Sequence, residues 1–325
     1  MKVMPCIMYV RVSENCNSNC FMCHYSGKQD SYNISLKEFT YLLDSMRQTG
    51  SYKLIRFTGG ETLLHPELLQ MINLSHNENL KTSIITNGYL LPTFVHDLVT
   101  SGLSQCVISI DGANSVTHDK LRGLEGCFEN IILGIKKIKV LNPNIVIRVN
   151  TVASPFNIDQ LMDMAVLFES LGVNQWSIIP LKYKANLWKP EHEKKYWEFT
   201  ASIANTKLTM LGYSANWAGR NIIEVQNTFE NNIHFKPLKR CRSIDFIRFF
   251  IPNQKLLLPC NCVPHRLSEI PELKEGFLHL DLETQACYFR DWLADNNNNI
   301  CSGCEPLNAF LSDNPEKIYQ NIMNF

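Results

Sequence analysis

The sequence predicts an α/β chain built on a parallel sheet and followed by a smaller cysteine-rich module. Three observations carry that reading. Short apolar runs alternate with amphipathic stretches from residue 5 to about 182, and the connections between them are short. Nine of the twelve cysteines fall into two groups, one near each end of the chain.

The expected strands are CIMYVRV (6–12), KLIRFT (53–58), KTSIIT (81–86), QCVISI (105–110), NIVIRVN (144–150) and NQWSIIP (174–180). Between them SLKEFTYLLDSMRQ, PELLQMINLS, PTFVHDLVTSG, CFENIILGIKKIKVL and NIDQLMDMAVLFESLG repeat apolar residues at helical spacing. Ser35 with Glu38 makes a capping box, and Gly50, Gly102 and Gly172 stand just past helix ends. Such an alternation is either doubly wound or curled into a barrel. In both cases chemistry sits in loops at the carboxyl ends of the strands. The unusual polar groups all fall there: a cysteine trio after the first strand, TGGE after the second, TNG after the third, SIDG after the fourth and RVN in the fifth.

Four segments follow. Residues 1–182 form the α/β unit. Residues 183–238 place Trp188, His192, Tyr196, Trp197, Tyr213 and Trp217 among polar residues, and PEHEKKYWEFTASIAN reads as a helix that packs on the flank or covers the rim. Residues 239–305 hold six cysteines and little apolar patterning, as expected of a metal-stapled module. Residues 306–325 are expected to close the chain with a helix.

Lys and Arg balance Asp and Glu at 31 each, which disfavours a nucleic-acid surface or a polybasic membrane patch. The apolar run near the N-terminus is too short for a signal peptide or a membrane span, so a cytoplasmic protein is expected. In a reducing compartment clustered cysteines are metal or catalytic groups rather than disulfides. Cys6, Cys106 and Cys127 stand alone in apolar or mixed segments and read as buried small hydrophobes.

Cys16, Cys20 and Cys23 are spaced C-x3-C-x2-C. Three thiolates complete a tetrahedral zinc site only with a fourth ligand such as His24. A cubane iron–sulfur cluster instead accepts three cysteines and leaves its fourth iron open. With FTGGETLLHP after the second strand, the chain resembles the radical S-adenosylmethionine (SAM) superfamily. The resemblance implies a partial (β/α)6 TIM-type barrel and a 4Fe-4S cluster on the trio. In that family the open iron chelates the amino and carboxylate groups of SAM, and the reduced cluster cleaves SAM to a 5′-deoxyadenosyl radical that takes a hydrogen atom from substrate.

Carried over by motif, Gly59, Gly60 and Glu61 would receive the SAM ammonium, their glycines allowing close backbone approach. Thr86 and Asn87 would line the ribose. Ser109 would meet the ribose or carboxylate, with Asp111 supporting its loop. Arg148 suits the carboxylate, with Asn150 on the same strand face. Met22 stands where the family often has an aromatic near adenine, and Thr62 where it has proline.

The second group, Cys241, Cys260, Cys262, Cys287, Cys301 and Cys304, with its PC and CSGC pairs, resembles the SPASM or twitch extension of the same superfamily. One auxiliary 4Fe-4S cluster is assigned to Cys241, Cys260, Cys301 and Cys304; a zinc knuckle shares that geometry. Cys262 and Cys287 are left over. Cys262 is the better hydrogen-atom donor to a substrate radical; Cys287 is the weaker one and an alternative ligand to Cys260. A donating thiol gives epimerisation, whereas an electron-accepting cluster gives two-electron oxidation.

Cys16 lies close to the start of the sequence, so no peptide-recognition domain is expected upstream of it. The chain is similar to 2-deoxy-scyllo-inosamine dehydrogenase-like and aminoglycoside-epimerase-like enzymes, implying a sugar or aminocyclitol substrate oxidised or epimerised at a carbinol carbon. A short peptide is the second substrate class. Trp188, His192, Trp217, Arg220 and Arg248 are further candidates to touch substrate, and a flavodoxin- or ferredoxin-type protein is the expected reductant. A non-catalytic iron–sulfur or zinc scaffold is the third reading, disfavoured because a scaffold needs no SAM pocket.

Overall fold

The computed structural model describes residues 5–23, 32–181, 187–203, 208–210, 247–252, 256–258 and, except 283 and 286, 281–287. Trp217, Arg220, Cys241, Cys260, Cys262, Cys301, Cys304 and the expected C-terminal helix lie outside the described residues.

The chain runs β1 (Ile7–Ser13), α1 (Leu36–Thr49), β2 (Leu54–Gly59), α2 (Leu68–Asn77), β3 (Lys81–Thr86), α3 (Leu91–Thr100), β4 (Gln105–Ser109), α4 (Ser115–Arg122), α5 (Cys127–Leu141), β5 (Val146–Ala153), α6 (Leu161–Ser170), β6 (Gln175–Pro180), α7 (Pro190–Ser202), β7 (Thr209–Met210), β8 (Ile247–Ile251) and β9 (Leu256–Leu258). The sheet order is β7-β6-β5-β4-β3-β2-β1-β8-β9. Every pairing is parallel except β8 with β9, so the first six strands line up in chain order with their carboxyl ends on one rim.

The α1 terminus shows how local sequence places these elements. Ser35 Oγ accepts from Glu38 N while Glu38 returns a carboxylate oxygen to Ser35 N at 2.9 Å, closing the capping box. β8 falls within the stretch expected to be the metal-stapled module, yet it lies parallel beside β1. Its sequence, IRFFI, buries all five residues, and pairing there covers the edge that β1 would otherwise expose.

The two faces of the sheet differ in chemistry. Met8, Val10, Val12, Ile55, Phe57, Ile84, Cys106, Ile108, Ile147, Val149, Trp176 and Ile178 join the apolar helix faces in one core. The residues between them face away from that core and are largely polar. There Arg56 donates to Tyr9 Oη at 2.8 Å, Ser83 Oγ at 3.1 Å and Gln105 Oε1 at 2.6 Å, and Gln105 donates to Gln175 at 3.0 Å. Cys6, Cys106 and Cys127 are buried, and burial pushes the thiols of Cys6 and Cys127 up to about 12.

α7 packs on the helix side. Phe199 and Phe168 both set their edges against the Trp176 ring, at 5.5 and 4.9 Å between centroids. Trp188 is buried near Tyr196, and His192 accepts from Lys189 N at the start of α7. Arg248 is buried on β8 and donates to the carbonyl of Ile247 at 3.0 Å.

Trp176 fills the core between α6 and α7 and also donates to Thr151 Oγ1 at 2.9 Å. Trp176→Ala is expected to cost about 3–5 kcal/mol in urea denaturation, whereas Val116→Ala, at a side chain 80% exposed, should stay within about 0.5 kcal/mol.

Candidate active site at the carboxyl rim

The site is built on the loop that leaves β1. Arg11 pairs with Glu14 at 3.0 Å as the strand ends. The loop then lies directly on the end of β2: Gly60 N donates to Ser13 O at 2.9 Å and Glu61 N to Asn15 O at 2.8 Å. This approach requires glycine. A Cβ on Gly59 would fall 2.0 Å from Ser13 O, and one on Gly60 would fall 2.2 Å from Asn15 O. Gly59 also has a φ of 149°, a conformation other residues avoid. The glycines predicted to admit SAM therefore also admit the backbone of the cysteine loop.

Glu61 ties this contact to β3. Its carboxylate is fully buried and accepts from Thr86 Oγ1 at 2.6 Å, Asn87 N at 2.6 Å and Leu63 N at 3.0 Å. Burial pushes the Glu61 carboxyl up, and the three donors work against that shift. Asn87 extends the tie. Its side-chain amide donates to Asn17 Oδ1 at 2.7 Å and Ser18 Oγ at 3.1 Å, inside the cysteine loop. Thr86 and Asn87, read from sequence as ribose contacts, thus hold Glu61 and the loop.

Within the loop Cys16 is half-buried, Cys20 buried and Cys23 exposed, and none of the three forms a disulfide. Ser18 N donates to Cys16 Sγ at 3.5 Å, and Cys23 N closes a turn on Cys20 O at 3.1 Å. Burial raises the Cys16 and Cys20 thiols, and the hydrogen bond from Ser18 N at Cys16 and the Arg122 cation at Cys20 work against it. Met22 packs at the core's margin, and Phe21 meets Phe156 edge-on at 5.6 Å.

The far side of the rim is lined by β4, β5 and β6. Ser109 stands opposite Asn150, and Asn150 opposite Ser177. Arg148 shares their face and donates Nε to Asn150 Oδ1 at 3.0 Å. Among the described residues Ser177 Oγ is buried without a hydrogen-bond partner, an orphan that a polar ligand would satisfy.

Sequence reasoning missed α4 and its last residue, Arg122. The Arg122 guanidinium reaches Asp111 Oδ2 at 2.7 Å and Cys20 Sγ at 3.8 Å. Asn114, whose side chain accepts from Thr117 N, and Gly123, in the left-handed conformation, are the cap residues that could have revealed this helix.

Residues 10–168 match the radical SAM superfamily, and that span contains the loop, the Gly-Gly-Glu contact and the Ser109–Asn150 row. These residues are a radical SAM domain. It is 29% identical over 171 residues to the AdoMet-dependent heme synthase of Methanosarcina barkeri, covering 52% of this chain and 48% of that protein. It is also 29% identical over 175 residues to the probable GTP 3′,8-cyclase of Saccharolobus solfataricus, covering 53% and 56%. The matched region thus spans about half the length of these curated relatives. In fold it is similar to Streptococcus suis SuiB bound to S-adenosylmethionine, with a TM-score of 0.68 at 16% identity over 91% of this chain and 68% of SuiB. SuiB is also known bound to its precursor peptide SuiA.

The residues present fit the family's 4Fe-4S cluster and SAM. Among the described residues no three His, Cys, Asp or Glu side chains close around a single ion. In a cluster, each thiolate takes its own iron, so the three sulfurs need not converge. Asn150 and Ser177 offer a polar row toward a ligand, and Arg148 adds a cation.

Glu61 has only acceptors to give, and its three partners are all donors. Glu61→Gln must turn an amide NH2 toward one of them, so it is expected to lose about 1–3 kcal/mol of stability by chemical denaturation. Iron retention after anaerobic reconstitution should fall with it.

Proposed function

We propose that the protein is a radical SAM enzyme that abstracts a hydrogen atom from a small polar substrate and oxidises or epimerises a carbinol carbon of a sugar or aminocyclitol. The observation that carries the reading is the fastening of the three-cysteine loop to the Gly-Gly-Glu end of β2, on the same rim as Ser109, Arg148 and Asn150. Cys16, Cys20 and Cys23 would hold the 4Fe-4S cluster, and Gly59, Gly60, Glu61, Ser109, Arg148 and Asn150 would surround SAM. When bound, the cluster supplies one electron for cleaving SAM to methionine and a 5′-deoxyadenosyl radical.

The interior of the sheet supports this substrate class. Tyr9, Arg56, Ser83, Gln105 and Gln175 make a hydrogen-bonded polar lining below the rim, suited to a hydroxylated or aminated molecule. In the oxidation, substrate loses the hydrogen atom, then one electron and one proton to give a carbonyl; the proposed auxiliary cluster on Cys241, Cys260, Cys301 and Cys304 is the acceptor. In the epimerisation, a thiol returns a hydrogen atom to the opposite face, and the thiyl radical left behind regains the thiol by taking one electron from the reductant and one proton from solvent. Cys262 is the first candidate donor and Cys287, half-buried with a free thiol, the second. A flavodoxin- or ferredoxin-type protein is the proposed reductant. A short peptide is the second substrate reading, favoured by the likeness to SuiB over most of this chain.

Anaerobic reconstitution with iron and sulfide, then dithionite and SAM, should yield 5′-deoxyadenosine. The Cys16→Ala/Cys20→Ala/Cys23→Ala variant should yield none while keeping iron at the auxiliary site. Zinc in place of iron, with no SAM cleavage by wild type, would leave a scaffold instead. In deuterated solvent, turnover of an aminocyclitol with solvent deuterium at the reacting carbon marks epimerisation, and a carbonyl product marks oxidation. A response to peptides alone would transfer the reading to the second class.

A further inference from the structure

The strongest unassigned group on the rim is a buried chain of charge: Asp111, Arg122, Cys20. Arg122 is the last residue of α4, and its side chain is 12% exposed while that of Asp111 is fully buried. Nε faces Asp111 Oδ2 at 2.7 Å, and Nη1 points at Cys20 Sγ at 3.8 Å.

Both ends of this chain are fixed. Asp111 follows β4; its other oxygen accepts from Val152 N at 2.7 Å, and its carbonyl accepts from Asn157 Nδ2 at 2.9 Å. Its own amide donates to His118 Nδ1 at 3.1 Å, and burial, aided by the Arg122 cation, lowers the His118 imidazole to about 3. His118 is therefore neutral and supports the loop without adding charge. At the other end, the carbonyls of Leu121 and Arg122, left over at the helix terminus, accept from Phe21 N at 3.3 Å and Asn19 N at 3.1 Å. A Cβ on Gly123 would fall 2.5 Å from Asn19 O, so the helix end and the cysteine loop are in direct contact.

A guanidinium keeps its proton in proteins, and Arg122 lies against the Asp111 carboxylate at 2.7 Å, so the residue carries its positive charge here. A permanent cation beside one ligand sulfur affects the two oxidation states of a cluster unequally. Reduction adds one electron, donated externally, and the extra negative charge is stabilised by a nearby cation and opposed by a nearby carboxylate. We propose that Arg122 is a positioning residue for the cluster ligand Cys20, and that the Arg122–Asp111 pair sets how readily that cluster accepts its electron. This rests on the radical SAM reading above.

The test is an EPR-monitored reductive titration of the reconstituted full chain with dithionite. The SAM-binding cluster is recognised by the change in its spectrum when SAM is added. Arg122→Gln keeps a hydrogen-bond donor and removes the charge. At a solution potential at the wild-type midpoint, its ratio of reduced to oxidised cluster should fall about tenfold, ~59 mV for a one-electron couple. Asp111→Asn removes the opposing charge and should move the midpoint the other way. Arg122→Lys should stay near wild type. A purely structural role predicts no such opposition of sign. Unmoved midpoints, or shifts in one direction for both variants at full iron content, would overturn the inference. Should Arg122→Gln fail to load iron, Arg122→Lys and Asp111→Asn decide by the same signs; should neither arginine variant load, the direction in Asp111→Asn decides alone. Wild type that cleaves SAM while the variants keep its potential sinks only the role of Arg122. Wild type without a SAM-responsive cluster sinks the radical reading, and this inference falls with it.

Discussion

A carboxylate with no access to water has to be satisfied by the protein, and Glu61 is satisfied by donors from both β2 and β3 chain segments. The rest of the rim follows from that requirement. Holding Glu61 in place fixes Asn87, and Asn87 reaches across to Asn17 and Ser18. The cysteine loop is thereby held at its middle by β3, at its start by the glycines of β2 and at its end by α4. A loop carrying three thiols and little apolar surface of its own is placed by these polar ties more than by a core.

The ties also explain a division of labour along the chain. Helix-facing residues of the strands supply apolar burial, while the opposite row supplies hydrogen bonds between strands, as in the link from Arg56 past β3 to Gln105 on β4. Each strand therefore contributes to both stability and site, with alternate residues. Residues in the last rungs of the ladder inherit their placement from this register, and it sets Ser109, Asn150 and Ser177, each within its strand, side by side.

Much of this was legible in the sequence. The first six strands and the helices α1, α2, α3, α5, α6 and α7 are long or strongly patterned, and they lie within a few residues of where periodicity puts them. α4 escaped because SVTHDKLR is short and mostly polar, burying only His118 and Leu121. The thiol trio and the Gly-Gly-Glu segment were visible because their residue types are unusual at that spacing. The partnership of Arg122 with Cys20 joins positions 102 residues apart, which no local pattern encodes. Thr86 and Asn87 could be placed on the rim from sequence, but their hydrogen bonding to Glu61 and the loop depends on how two strand ends meet in space.

The polarity below the rim bears on what can react there. The hydroxyl of Tyr9, the guanidinium of Arg56 and the amides of Gln105 and Gln175 are buried and bond to one another, so their positions are fixed before anything binds. Parting one of these bonds without a replacement costs about 1–3 kcal/mol. A polar substrate can add hydrogen bonds to the spare lone pairs and protons of such a row, and an apolar one cannot. A C–H bond of a substrate held in that way would keep a defined orientation toward the rim. Selectivity for one C–H among several similar ones requires orientation of this kind more than it requires tight binding, and a lining of fixed donors on β-strands supplies it better than a loop would.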